Sequence, residues 1–123
     1  GWHTDEIASD LFRKGRIRPV ILVGIVSPPD RDCVFGPPPS GKADRLSDFI
    51  ADTLLPTLRY RIPISKNPAD VGVLGASFGS NVSIYVGLRR PDAIGLVAAL
   101  SGAPADEKAG PTFKSRDRRA TVR

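Results

Sequence analysis

The chain predicts an α/β protein, a parallel sheet flanked by helices, on three observations. Apolar runs of strand length occur at Pro19 to Val26, Val71 to Leu74 and Gly95 to Leu100. Stretches with helical spacing separate them, and a glycine-flanked turn, Gly75-Ala76-Ser77-Phe78-Gly79, carries the second run straight into a helix. Strands separated by helices imply right-handed crossovers and therefore parallel pairing. A length of 123 residues, with 41% hydrophobic and 25% charged, suits one globular domain with a modest core.

Each element has its local reason. Thr4 is placed to cap a first helix running to about Lys14, because Asp5 and Glu6 favour its positive end, Ile7 and Leu11 share a face and Gly15 stops it. Pro19 to Val26 is continuous, apolar and rich in β-branched residues, the pattern of a strand covered on both faces. Ser27 to Gly41, with five prolines and two glycines, is expected to be a long irregular loop. Leu46, Phe49, Ile50, Thr53, Leu54 and Leu58 then recur at helical spacing, and Pro56 should kink or restart that helix. After the glycine-flanked turn, Asn81 to Leu88 reads as a helix that Pro91 ends, and Gly95 to Leu100 as the last strand.

Composition narrows the function. The net charge is +5, and it is uneven: residues 1–105 carry 12 basic and 10 acidic side chains, residues 106–123 carry 6 and 3. The expected organisation is therefore a core over 1–105 and a basic, flexible tail over 106–123. A basic tail without stacking aromatics or a recognition fold does not make nucleic acid an expected partner. The longest apolar run is too short to cross a bilayer, so the expectation is a soluble protein with no membrane partner, the cytoplasm being the favoured compartment. Cys33 is the one cysteine and His3 the one histidine, which supports neither a disulfide framework nor a metal set; no cofactor and no metal are expected.

Two motifs imitate sites and fail on their chemistry. Gly36-Pro37-Pro38-Pro39-Ser40-Gly41-Lys42-Ala43 resembles a phosphate loop, yet three prolines remove backbone donors and Ala43 stands where a magnesium-binding hydroxyl belongs. Asn81-Val82-Ser83 fits a glycosylation acceptor but falls within an expected helix.

The informative motif is Gly75 to Gly79. A serine raised on a tight strand-to-helix turn leaves its hydroxyl open to a carbonyl carbon, and small flanking residues let neighbouring backbone approach. This is the nucleophile-elbow context, in which Ser77 attacks and the Phe78 backbone N–H faces the oxyanion. The alternative is that Ser77 merely caps the following helix. A serine needs a base, and His3 is the sole imidazole, far upstream of Ser77, whereas elbow hydrolases run serine, acid, histidine along the chain. A bystander at the start of a helix is the blander reading of His3. Asp92 would be an orienting acid only if there were a base to orient, and Arg31 is a candidate substrate-facing cation in the long loop.

Taken together these residues resemble the putative esterase family, which includes enterochelin esterases and S-formylglutathione hydrolase (esterase D). The resemblance is carried by Trp2 to Asp5, Pro19 to Ile25 with Arg31 after it, Phe49-Ile50 leading to Leu55-Pro56, and the block from Gly72 to Gly102. In that block the elbow, Tyr85, Gly87-Leu88, Arg90-Pro91-Asp92 and Ser101-Gly102 fall in order. It implies an α/β-hydrolase-like parallel sheet, Ser77 as nucleophile and a small-molecule ester as substrate. Ser80 stands where the family commonly has a second glycine, and residues 106–123 resemble no part of the family. The family's first strands, and the segment that carries its acid and histidine, have no counterpart, so the core is expected to be partial at both ends. Two functions follow as expectations: a serine esterase acting through an acyl-enzyme on Ser77, or a catalytically idle hydrolase-like module that binds a partner. A homo-oligomer bringing two small sheets together would cover their edges and could present His3 from a second copy.

Overall fold

The computed structural model describes residues 3–102, so the tail expected at 106–123 lies outside the described residues. In order, the chain forms α1 (Thr4–Arg13), α2 (Arg31–Phe35), α3 (Ala43–Phe49), a π-helical turn (Ile50–Leu54), α4 (Leu55–Arg61), a 3₁₀ turn (Pro68–Asp70), β1 (Gly72–Ala76), α5 (Phe78–Arg89) and β2 (Leu96–Leu100). β1 and β2 pair in parallel, Gly72 opposite Leu96 through Ala76 opposite Leu100. The β1-α5-β2 crossover is the unit the sequence predicts around its glycine-flanked turn.

Alternation along the strands fixes which face is covered. Val73 packs against the core and Gly75 lies against the first turns of α5. The intervening positions point the other way. There Leu74, Leu96 and Leu100 are 58, 56 and 45% exposed, so among the described residues the sheet is packed mainly on one face. The core lies between α5 and the α3-to-α4 rod: Ala43, Ile50, Ala51 and Leu55 meet Val82, Val86, Ala93 and Ile94. Phe35 from α2 and Tyr85 from α5 close around it.

Pro56 acts as expected, with a specific geometry. It sits at the second position of α4, where it has no N–H to donate and its ring would press on the carbonyl four residues back. The chain relieves this by widening into the π turn at Ile50–Leu54, and the rod continues.

Three expectations are corrected. Pro19 to Val26 is not a strand: among the described residues no ladder hydrogen bond reaches it, and Val20 through Val23, Ile25 and Val26 are 46 to 89% exposed. A parallel strand of this composition needs a paired edge and cover on both faces. α1 lies beside its start, Ala8 and Phe12 facing Pro19, Val20 and Leu22 across a groove of about 380 Å³. The loop from Ser27 to Gly41 contains a helix, α2, so it is less irregular than its proline content suggests. Thr4 is the first residue of α1 rather than its cap; His3 holds the cap position at φ 48° and makes no side-chain capping bond.

Candidate functional site

β1 ends at Ala76 and α5 begins at Phe78, leaving Ser77 alone to turn the chain. Its backbone has φ 53° and ψ −122°, outside the regions open to ordinary residues, a conformation that costs about 1–3 kcal/mol and persists only where its surroundings impose it. The constraint is visible on both sides. The Ser77 N–H donates to the Leu100 carbonyl (2.9 Å), and the Ser77 carbonyl accepts from the Ser80 N–H (3.0 Å). Ser77 is exposed, and although it occupies the N-cap position its hydroxyl makes no capping bond. The capping alternative is therefore not what this serine does.

Gly75 is demanded by the crossing of strand and helix. A Cβ there would collide with the Gly79 carbonyl and stand 2.6 Å from the Ser83 hydroxyl, which itself donates to that carbonyl (2.9 Å). Gly79 differs: a Cβ on it would meet nothing within 4 Å. The two glycines that flank the serine thus have separate roles, one closing the turn and the other leaving open space beside it.

Phe78 is the first residue of α5, where a backbone N–H has no intrahelical acceptor. Its ring is half-buried and tilts 31° against Phe35 at 6.1 Å, which ties α2 to the start of α5. Next to Ser77, one position past the last paired residue of β2, Ser101 also has positive φ, 48°. Two exposed serines with left-handed backbone therefore stand side by side at the carboxyl end of the sheet, the edge at which open α/β sheets bind ligands.

The other candidates lie elsewhere. His3 Nδ1 is 3.3 Å from Glu6 Oε2 on its own helix, both side chains about 70% exposed, and α1 forms no packed interface with β1, β2 or α5. Arg31 opens α2 and lies 3.9 Å from Asp32 with 68% of its side chain exposed. Asp92 is held by Arg90 through two contacts of 3.0 Å at the far end of α5, about 18 Å of helix from Ser77.

That far end is an ion-pair network. Arg90, 17% exposed, reaches Asp52 at 2.7 and 2.8 Å, Asp48 at 3.2 Å and Asp92, while Arg89 also meets Asp48. Hydrogen bonds from the Arg90 guanidinium hold the Asp52 and Asp92 carboxyls below the usual carboxylate range, and Arg90 is held above its own. Asp70 is lowered first by the Ser65 hydroxyl and then by Arg18. These groups fasten α5 to the helical rod and β1 to the chain before it; they present no vacant acid or base.

The imitation phosphate loop has spent its amides. Gly41, Lys42 and Ala43 donate to Pro37, Cys33 and Gly36 carbonyls. Asn81-Val82-Ser83 lies in α5 with Val82 and Ser83 buried. Among the described residues no three His, Cys, Asp or Glu side chains converge as a metal set, and no helix is long and apolar enough to cross a membrane.

A serine of positive φ thus stands between a parallel strand and a helix, at the carboxyl end of the sheet. The profile of the putative esterase family matches residues 1–123, and the chain belongs to that family. Membership implies an α/β-hydrolase-like fold and suggests hydrolase activity. The uncharacterized protein YbbA of Bacillus subtilis (strain 168) is 26% identical over 119 residues, covering 88% of this chain and 47% of that protein. The chain thus spans about half the length of this relative. No solved structure matches it.

What the sequence missed around Ser77 is its second rank. In the sequence Ser101 stands out only as part of the block that resembles the family, because a serine in a residue string does not announce a positive φ. Ser80 stood out as a departure from the family's glycine, but its complete burial required the crossing of α5 over β2.

Proposed function

We propose that the protein is a serine esterase of small carboxylic esters. Ser77 Oγ attacks the acyl carbon, the Phe78 backbone N–H stabilises the tetrahedral oxyanion, and the alcohol leaves with a proton to give an ester on Ser77 that water then hydrolyses. The observation that supports this best is the Ser77 backbone at φ 53°, ψ −122°, with an exposed hydroxyl not spent on capping. Oxyanion stabilisation and substrate binding without a histidine still leave roughly a thousandfold over water in triad enzymes, so the activity expected of this chain is weak rather than nil. Solvent water is taken as the proton acceptor, and Arg31 is available to an anionic substituent of the substrate. The test is hydrolysis of p-nitrophenyl acetate by wild type and Ser77→Ala; equal rates reject the reading.

The seating of His3 on Glu6, with α1 unpacked against α5, favours a second reading: a hydrolase-like module that binds a partner and turns nothing over. Turnover lost on Ser77→Ala rejects it.

A further inference from the structure

Ser80 is wholly buried, and its Oγ has no hydrogen-bond partner among the described residues. A buried hydroxyl left unpaired costs stability, so its presence calls for an explanation. Ser80 touches both supports of the Ser77 turn. Its N–H donates to the Ser77 carbonyl at 3.0 Å, and its Oγ fills the space in front of Gly102, where a Cβ would stand 2.9 Å away. Gly102 directly follows Ser101, the other serine of positive φ, and its own φ lies outside the left-handed range. An alanine at 102 would therefore press on the Ser80 hydroxyl, which would have to shift to admit it, while the backbone conformation does not stand against it.

We infer that Ser80 is a positioning residue: its side chain is a wedge that sets the separation between the Ser77 turn and the Ser101-Gly102 turn, and so the width of the opening in which an ester meets Ser77. This rests on the esterase reading above. Ser80 gives and takes no proton; it acts through the backbone at 77 and 102.

A double-mutant cycle on the full chain tests it, with Ser77→Ala as control. Ser80→Ala should lower kcat for p-nitrophenyl acetate about tenfold, keep KM within about twofold and leave Tm unchanged or higher, because an unpaired buried hydroxyl is removed. Gly102→Ala should also lower kcat about tenfold in the parent, yet restore kcat when combined with Ser80→Ala, since the new methyl occupies the space the hydroxyl vacates. Additive losses, or parental kcat in Ser80→Ala, overturn the inference while leaving the esterase reading intact. A loss of kcat accompanied by a lowered Tm also overturns it, as the mark of a merely structural serine. Parental rates in Ser77→Ala overturn both.

Discussion

The Ser77 N–H reaches the Leu100 carbonyl of the neighbouring strand at 2.9 Å, one position beyond the last register pair, Ala76 and Leu100. The sheet therefore holds the turn residue by its backbone, while among the described residues its side chain makes no capping bond. The clamp fixes the backbone that carries the hydroxyl, which is the part of the geometry the proposed attack would need in place before substrate arrives.

His3 tests whether the imidazole takes part. A triad's serine and histidine act as a unit, so if His3 served as base its loss would match that of Ser77. With His3 seated on Glu6, the expected outcome is ester hydrolysis at the parental rate in His3→Ala and none above background in Ser77→Ala. Initial rates on p-nitrophenyl acetate, with folding checked by circular dichroism, decide it.

The two elbow glycines should separate in a urea titration. Gly75→Ala forces a methyl into the Gly79 carbonyl and the Ser83 hydroxyl and should destabilise by about 1–3 kcal/mol, the usual range for overpacking. Gly79→Ala, in the first turn of α5 with open space around it, should raise stability by about 0.5–1 kcal/mol. Equal midpoints for the two variants would contradict the packing described.

Acid should loosen the far end of α5. Asp52 and Asp92 are held by Arg90 below their ordinary value near 3.8, so the native state binds fewer protons than the unfolded chain. The stability they contribute is complete above the unfolded value and is lost as pH falls through the lowered native values. Thermal melts between pH 6 and pH 2 should show Tm dropping below about pH 4. The double variant Asp52→Asn with Asp92→Asn should have a lower Tm at pH 6 and a flatter profile beneath pH 4. Arg90→Lys should not restore the parent, since an ammonium cannot fork to two carboxylates.

The uncovered face of the sheet predicts association. Leu74, Leu96 and Leu100, with the exposed run from Val20 to Val26, form apolar surface of a kind that solvent-facing sheets seldom leave bare. Sedimentation velocity should show an average mass rising with concentration, and Leu74→Lys with Leu96→Lys should return it to that of a monomer. A concentration-independent monomer in the parent would reject this.

The elements legible in the sequence were those whose signal is local. Gly75, Ser77 and Gly79 marked the turn, Pro56 marked the restart of the helix, and Pro91 marked the end of α5. The strand expected at Pro19 to Val26 failed for a non-local reason: its composition reports a wish for burial, but pairing and cover must come from other segments. The ion network was equally hidden, since Asp48 and Asp52 lie 42 and 38 residues from Arg90 in the chain. As for the candidate site, the place of Ser77 between strand and helix was readable from the motif. Ser80 and Ser101 gain meaning only once α5 crosses β2.

The π turn before Pro56 lets the helical rod carry an extra residue without turning its two ends out of phase. Its five residues hold one more than an α-helical turn would. Deleting one residue between Ile50 and Leu54 would let an ordinary helix run through with little rotation, so Leu55 would stay in the core and Asp48 beneath Arg90. The cost would fall on Pro56, whose ring would again press on the carbonyl four residues back. A residue removed from α3 or α4 would instead swing everything beyond it by about 100° around the axis. Homologues that are one residue shorter in this rod should therefore lack the π turn and the proline together, and keep α3 and α4 at their present lengths.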